Sequence, residues 1–127
     1  MELQGIADGQ PGLVLVNRQT SQTISRTVEV AASRRSRRRG LLGRTGMDRS
    51  EALILAPCFA IHTAFMRFAI DVVFVDSRGR VLKIVRGLPP WRMAVAPRAH
   101  AVIELAAGSL SSRALKVGDA VDLAPAA

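Results

Sequence analysis

The sequence predicts a mostly β, single-domain protein, either a β-sandwich or a partly open barrel of about seven or eight short strands with one or two short helices. Short runs rich in Val, Ile, Leu and Thr recur along the chain, turn-forming residues separate them, and few segments carry a helical pattern. The chain has 127 residues, which is the size of one domain, and no linker divides it. We therefore treat residues 1–127 as one domain.

The first half of the chain begins with a hairpin pattern. Residues 1–11 are Gly-rich, and we expect them to be flexible. Residues 12–17 (GLVLVN) and 23–31 (TISRTVEVA) predict two strands joined by a polar turn. Ser33 is placed to cap a short helix that ends near Gly43. Residues 51–57 (EALILAP) predict a strand that Pro57 closes.

Residues 58–67 combine chemically reactive side chains with an apolar run. Pro57 and the apolar residues that follow favour a strand here, although a helix would also bring residues 58, 62 and 66 to one face. Side chains alternate along a strand, so one face is bulky and apolar and is expected to be the core face. That face carries Phe59, Ile61, Thr63 and Phe65. The opposite face carries Cys58, Ala60, His62, Ala64 and Met66, as a strand lining a shallow pocket would.

The second half contains a second hairpin pattern. Residues 70–76 (IDVVFVD) and 80–87 (RVLKIVRG) predict strands joined by a turn at 77–79. Residues 88–99 contain three prolines and predict a loop. Residues 100–108 (HAVIELAAG) and 119–124 (DAVDLA) predict the last two strands, with a helical turn somewhere in 109–119.

Positive charge is concentrated in one stretch of a basic protein. The net charge is +8, and an arginine cluster would attract phosphate groups or another anionic partner. The cluster consists of Arg34, Arg35, Arg37, Arg38, Arg39 and Arg44. No aromatic side chain is interleaved with it for base stacking, so nucleic-acid binding is an alternative that we do not favour over a solvated helix face.

Composition and motifs narrow the classes of function. No apolar run reaches the ~20 residues that a membrane-spanning helix needs. The N-terminus lacks a basic segment followed by an apolar one, so we expect no signal peptide and a cytoplasmic location. Cys58 is the only cysteine, which excludes an internal disulfide and a multi-cysteine zinc site. Phosphate-binding and dinucleotide-binding glycine motifs are absent, and we expect no cofactor.

Several motifs in order resemble an uncharacterised bacterial and archaeal family, catalogued as domain of unknown function 192. The resemblance runs from about Ser25 to Leu123. Its motifs are residues 40–44 (GLLGR), 52–58 (ALILAPC), 60–76 (AIHTAFMRFAIDVVFVD), 102–109 (VIELAAGS) and 117–119 (VGD). It implies a compact, mostly β fold of sandwich type, and it does not imply a particular activity. Many relatives carry a signal or membrane segment ahead of the domain, and we expect none here.

The candidate ligand-binding residues are polar groups set in apolar surroundings. Glu104 lies inside a predicted strand, on the same face as His100, and an arginine such as Arg67 would be its charge partner, since a buried charge needs one. We favour a purely structural ion pair over a polar anchor in a ligand pocket. Trp91 lies in the proline-rich loop, either as a binding anchor or as a lid over the core. The full candidate set is His62, Arg67, Asp71, Trp91 and Glu104.

Cys58, His62, Met66 and His100 are the residue types of a type-1 copper site. Their order differs from that of blue-copper proteins, because no histidine precedes His62. A nucleophilic Cys58 activated by His62 is a further alternative. The simplest alternative is a thiol and a thioether that fill the core.

The sequence therefore favours a binding or accessory module over an enzyme. The expected partner is a small ligand or a protein that contacts a shallow polar site around His62. The alternatives are anion or nucleic-acid binding by the arginine cluster, and thiol or metal chemistry at Cys58.

Overall fold

The computed structural model describes residues 3, 5–110 and 114–126. The described part contains ten strands and one short helix, which confirms the mostly β prediction. Their bounds are β1 (Leu13–Asn17), β2 (Thr23–Ser25), β3 (Thr27–Ala31), α1 (Arg34–Arg39), β4 (Glu51–Leu55), β5 (Ala60–His62), β6 (Ile70–Val75), β7 (Val81–Leu88), β8 (Met93–Val95), β9 (Ala101–Ala106) and β10 (Val121–Pro125).

A five-stranded sheet of order β3-β4-β9-β6-β7 forms the centre of the molecule. Its strands pair antiparallel except for β3 and β4, which are parallel. Every residue of β6 and β9 is buried, because both faces of the sheet are covered. Strands buried on both faces are continuously apolar in sequence rather than alternating. IDVVFV and AVIELA follow this pattern, with one carboxylate in each as the exception.

Two hydrophobic clusters lie on opposite faces of this sheet. On one face, Ile54 and Ile103 pack against a three-stranded sheet of order β10-β1-β2, through side chains such as Leu15. On the other face, Phe74 packs with Ile61 of a two-stranded sheet formed by β5 and β8. Layers on both faces make the fold a sandwich, and the sheets do not close into a barrel. Burying one such side chain contributes about 1.5–3 kcal/mol.

The predicted strand over 23–31 is two strands in two different sheets. The expected hairpin is present, because β2 pairs antiparallel with β1. The chain then bends at Arg26, and β3 continues in the central sheet beside β4. Buried Ser25 holds this bend, since its hydroxyl donates to the carbonyl oxygens of Thr27 (3.3 Å) and Ser50 (2.5 Å).

Capping rather than packing supports α1. The prediction that Ser33 is the N-cap is confirmed: its hydroxyl accepts from the Ser36 amide at 3.0 Å, and its own amide donates to the Ser36 hydroxyl at 3.1 Å. No residue of the helix is buried. The helix ends at Arg39 rather than near Gly43, because Gly40 has a positive φ of 47° and Leu41 turns into the second hydrophobic cluster.

The prediction of a single strand over 58–67 is wrong. Only β5 is extended, and it pairs with β8, a strand in the region predicted as a loop. Ile61 and Thr63 are buried as expected, but the alternation ends there because the Thr63 hydroxyl donates to the Pro89 carbonyl at 2.7 Å and fixes a bend. Phe65 has a φ of 64° and points outward. As a result Phe59 and Phe65 are exposed and Met66 is buried, the reverse of the expected faces.

The ends of the described chain contact the first hydrophobic cluster. Leu3 and Ile6 are buried in it, and the Gly9 amide donates to the Val30 carbonyl at 2.8 Å. Residues 1, 2 and 4 of the segment expected to be flexible lie outside the described residues. Residues 111–113, part of the expected helical turn, do so as well.

Candidate functional site

A cavity of about 140 Å³ lies between the end of α1 and strand β5. It is lined both by arginines of the predicted anion-binding cluster and by residues of the predicted site around His62. From α1 come Arg37, Arg38 and Arg39, and from the other side come Cys58, His62, Met66 and Glu104. The cavity therefore combines a cationic wall with a thiol, an imidazole, a thioether and a carboxyl group.

Glu104 is the buried acid of this cavity. It lies in the middle of β9, opposite Leu53 on one side and Val72 on the other, so the sheet fixes its backbone. The residue is 3% exposed, and among the described residues its carboxyl group makes no hydrogen bond or ion pair. Burial away from water raises the pKa of Glu104 to about 7, because the charged form is poorly solvated there.

Arg44, and not Arg67, is the cation whose charge acts on Glu104. The Arg44 guanidinium partly offsets the rise of the Glu104 pKa, although it is paired with Glu29 and lies 3.6 Å from Glu51. Arg67 is exposed and forms no ion pair with the residues that the structure describes. The sequence could not rank these arginines, because which of them approaches Glu104 depends on tertiary packing.

Cys58 lies half-buried at the same cavity. Its thiol donates to the Ala60 carbonyl at 3.2 Å. Burial raises the pKa of the Cys58 thiol, and the negative charge of Glu104 raises it further, while Arg37 acts in the opposite direction. The thiol therefore stays protonated at neutral pH, which disfavours a role as a nucleophile.

Arg37 is held in place over the cavity. Its guanidinium donates to the Pro57 carbonyl at 2.6 Å and to the Ser33 carbonyl at 3.3 Å. Arg38 and Arg39 also line the cavity, and both are exposed. One guanidinium is therefore oriented by hydrogen bonds, and two long, exposed arginine side chains lie beside it. This arrangement is suited to binding an anion.

Asp71 and Trp91 lie apart from the cavity. Asp71 is 1% exposed, and its carboxylate accepts from the amides of Gly87 (2.8 Å), Gly108 (3.1 Å) and Leu110 (3.2 Å), so it ties β6 to two loops. Trp91 is 60% exposed and contacts Phe65 edge-on, with ring centroids 4.6 Å apart. Trp91 is therefore not a lid over the buried core.

The four residues of the copper hypothesis do not all meet. Cys58, His62 and Met66 line the cavity together, but His100 does not line it with them. His100 contributes its backbone instead, because its carbonyl accepts from the Cys58 amide at 2.8 Å. In the part of the chain that the structure describes, no three His, Cys, Asp or Glu side chains come together as a metal site would require.

The arginine wall of the cavity, formed by Arg37, Arg38 and Arg39, lies close to His62, and the sequence does not predict this proximity. The arginines stand out in the sequence by their charge and His62 by its predicted strand, but no periodic pattern connects residues 37–39 with residue 62. The connection is made by Leu41, which anchors the end of α1 in the same cluster as Ile61. None of the described helices is long and apolar enough to cross a membrane.

Comparisons with known proteins agree on a family without a described activity. A family model, DUF192, described as "Uncharacterized ACR", matches residues 14–123. A UPF0127 protein of Pyrococcus furiosus is 36% identical over 64 residues, which are 50% of this chain and 54% of the relative. The aligned region thus spans about half the length of that relative.

Two solved structures share the fold. A protein of unknown function from Novosphingobium aromaticivorans aligns with a TM-score of 0.73 and 22% identity, over 87% of this chain and 82% of its own. A proposed transcription regulator from Sinorhizobium meliloti aligns with a TM-score of 0.77 and 20% identity, over 93% and 97%. At these identities the likeness shows the fold alone.

Proposed function

Because this chain belongs to the DUF192 family, whose members are uncharacterised, we propose its function from the cavity itself: the protein is a binding module for a small organic anion. The anion lies between the arginine wall of α1 and the carboxyl group of Glu104. Glu104 in its protonated form donates a hydrogen bond to it. No covalent step is part of this function.

The observation that carries the proposal is the unpartnered Glu104 carboxyl at the cavity. No hydrogen bond joins this carboxyl to another described residue, and its oxygens are not among the fully enclosed atoms without a partner, so they are accessible from the cavity. The carboxyl keeps its proton up to about pH 7, so at and below neutral pH it is a hydrogen-bond donor. A ligand oxygen in the cavity can accept this bond.

The charge and size of the cavity support an anion of few atoms. Arg37, Arg38 and Arg39 line the cavity, and the Arg37 guanidinium is oriented by its bonds to backbone carbonyls. A volume of about 140 Å³ accommodates a few waters or a compact acid, but not a nucleotide. Carboxylate and phosphate groups both meet this requirement, since each has two or more oxygens that can accept paired hydrogen bonds from a guanidinium group.

Titration with malonate and with inorganic phosphate tests the proposal. Backbone amide shifts in a ¹H–¹⁵N spectrum should move at Gly40 and His62, which line the cavity. Binding should weaken as the pH rises through about 7, up to tenfold per pH unit, because the ligand requires the protonated form of Glu104. The variant Glu104→Gln cannot ionise, so its affinity should lack this pH dependence.

Matched arginine variants separate the cavity from the overall charge. Arg37→Gln should weaken binding on the order of tenfold, the loss expected for one charge-assisted hydrogen bond. Arg78→Gln removes the same charge at the turn between β6 and β7 and should leave binding unchanged. Equal effects of the two variants, or shifts spread over the surface, would overturn the proposal.

A second candidate is polyanion binding by the outer face of α1. Arg34, Arg35, Arg38 and Arg39 are exposed, and residues 30–47 contain no Asp or Glu to neutralise them. Such a surface gains affinity for nucleic acid by releasing counterions. The similarity in fold to the proposed transcription regulator is consistent with it, at the level of fold alone.

Retention on a heparin column tests the second candidate. Changing Arg34, Arg35, Arg38 and Arg39 to glutamine should lower the salt concentration of elution far more than changing four exposed arginines elsewhere, namely Arg26, Arg49, Arg78 and Arg98. Since both variants remove four charges, an equal decrease would assign retention to net charge and would reject this candidate.

A further inference from the structure

Exposed apolar side chains concentrate on one side of the molecule. Among the described residues, seven large apolar side chains are exposed. Two of them, Leu42 and Val117, lie elsewhere. The other five lie on or beside β5 and β8 and form what we call the β5–β8 apolar surface: Phe59, Phe65, Trp91, Met93 and Val95.

Strand pairing places Met93 beside His62 and Val95 beside Ala60. Met93 and Val95, 76% and 44% exposed, project to the same side of β8, while the intervening Ala94 is buried against the core. Trp91, 60% exposed, lies two residues before this strand. Phe65, 74% exposed, packs edge-on against Trp91. A group of large exposed apolar side chains on one side of a protein usually marks an interaction site.

Two of these aromatic residues have a conformation that side chains seldom adopt. Phe65 has a φ of 64° and Trp91 a φ of 65°. Buried Thr63 fixes both bends, because its carbonyl accepts the amides of Met66 and Trp91 at 3.1 Å. The fold thus accepts a local conformational cost at the two positions where it presents aromatic rings to solvent.

The two chain segments that form this surface carry charge of a single sign. Residues 52–70 and 77–103 contain no Asp or Glu. Arg67, Arg92 and Lys83 are exposed, and the Lys83 ammonium donates to the Val95 carbonyl at 3.0 Å, directly beside the surface. The apolar side chains are therefore bordered by cations alone over both chain segments that form β5 and β8.

We propose that the β5–β8 apolar surface docks onto the headgroup region of an anionic membrane. Aromatic and aliphatic side chains bordered by Arg and Lys match this boundary, where apolar groups enter the lipid and cations contact the phosphates. A second copy of the chain fits less well, because a symmetric pairing would place the cations of both copies in one interface, and the chain segments that form this surface supply no Asp or Glu to neutralise them. Nucleic acid would leave Met93 and Val95 without suitable contacts.

Trp91 gives a direct readout, because it is the only tryptophan in the chain. Vesicles of phosphatidylcholine with phosphatidylglycerol should shift its fluorescence to shorter wavelength and increase its intensity. Vesicles of phosphatidylcholine alone should have much less effect. Added salt should reverse the association, since part of the attraction is electrostatic.

Three variants with matched controls test which residues are responsible. Phe65→Ser with Met93→Ser should weaken vesicle association on the order of tenfold, whereas Val117→Ser, which removes an apolar side chain that is 60% exposed elsewhere, should not. Arg67→Gln with Arg92→Gln should weaken it roughly fivefold per cation, and Arg26→Gln with Arg78→Gln should have a smaller effect. Changing Arg34, Arg35, Arg38 and Arg39 to glutamine should leave the Trp91 shift in place.

Each remaining outcome overturns the proposal. An unchanged Trp91 spectrum with both vesicle types excludes membrane docking by this surface. Association that disappears with the α1 variant but not with Phe65→Ser and Met93→Ser assigns it to the helix. A dimer in sedimentation that the Phe65→Ser and Met93→Ser variant dissociates assigns the surface to a second copy.

Discussion

Glu104 makes the stability of the folded chain depend on pH. In the folded state its pKa is about 7, against an ordinary value of 4.5 in the unfolded chain. Between these values the folded state binds more protons than the unfolded state, so the free energy of unfolding falls as the pH rises. The contribution is fully present below about pH 4.5 and is lost above about pH 7, a difference on the order of 3 kcal/mol.

The variant Glu104→Gln should remove this dependence. Because glutamine has nearly the same shape and no charge, the variant should gain stability relative to the wild type as the pH is raised from about 5 to about 8. Urea unfolding at several pH values measures the gain. Two curves that stay parallel over this range would show that Glu104 is solvated or paired in the folded state.

The reactivity of Cys58 should report the same local electrostatics. We expect the thiol to react with neutral iodoacetamide more slowly than a free cysteine at neutral pH, because burial raises its pKa. Above pH 7, where Glu104 is ionised, Glu104→Gln should increase the rate by removing a nearby negative charge, and Arg37→Gln should decrease it by removing a positive one. A wild-type rate above that of free cysteine would instead favour the thiol-chemistry hypothesis.

At the scale of residues, the sequence identified the right types but not their neighbours. Glu104 was noted because a carboxylate within an apolar strand is unusual, and the structure buries it. Its expected partner, Arg67, is exposed, while Arg44 acts on it from another loop. Asp71 was grouped with the ligand candidates because of its chemistry, but three backbone amides already occupy it. Such pairings depend on distances that no local pattern encodes.

Among the elements, the turn between β6 and β7 has an unexpected contact with β10. Gly79 has a φ of 86°, and a Cβ atom there would overlap the carbonyl oxygen of Val121. Gly118 has a φ of 96° but open space around it. Gly118→Ala should therefore cost about 1 kcal/mol of stability from the backbone alone, and Gly79→Ala about 2 kcal/mol more, since strand β10 must also shift.

Urea unfolding of the two glycine variants checks this prediction. The comparison is controlled for conformation, because both glycines have a positive φ and only one has a close neighbour. Equal losses of stability would mean that β10 can move away from the turn without cost. The sequence predicted the turn at 77–79 but gave no sign of its contact with β10.

Strands with strong apolar patterns were predictable, and short ones were not. The predicted bounds of β6 and β9 agree with the observed ones to within two residues, because continuous runs of Val, Ile and Leu bounded by turn residues favour a buried strand. β8 has three residues between prolines and was expected to be a loop. Its strand conformation comes from pairing with β5, in which Ile61 lies opposite Ala94. Local sequence cannot supply a partner strand.

For the whole molecule, we expect one cooperative unfolding transition. The central sheet contributes side chains to both hydrophobic clusters, and an isolated two-stranded sheet such as β5–β8 is marginal in water. Trp91 fluorescence reports on the β5–β8 side, and far-ultraviolet circular dichroism reports on all the sheets. The two should give the same urea midpoint. An earlier Trp91 transition would show that β5 and β8 detach first.

The sandwich was predictable from strand spacing, whereas the cavity was not. Seven or more short strands with few helices lead to layered sheets in general, because each sheet must bury one face. The cavity exists because α1 and β5, which are distant in the chain, meet over one face of the central sheet. Its chemistry is therefore a property of the assembled layers.

The pairing of β1 with β10 constrains how the chain can fold during translation. Asn17 of β1 donates to Asp119, a residue 102 positions later, just before β10. While the ribosome is still making the later strands, Leu13 and Leu15 have no partner sheet to complete their burial. The burial of β1 is therefore completed only when nearly all of the domain has been synthesised.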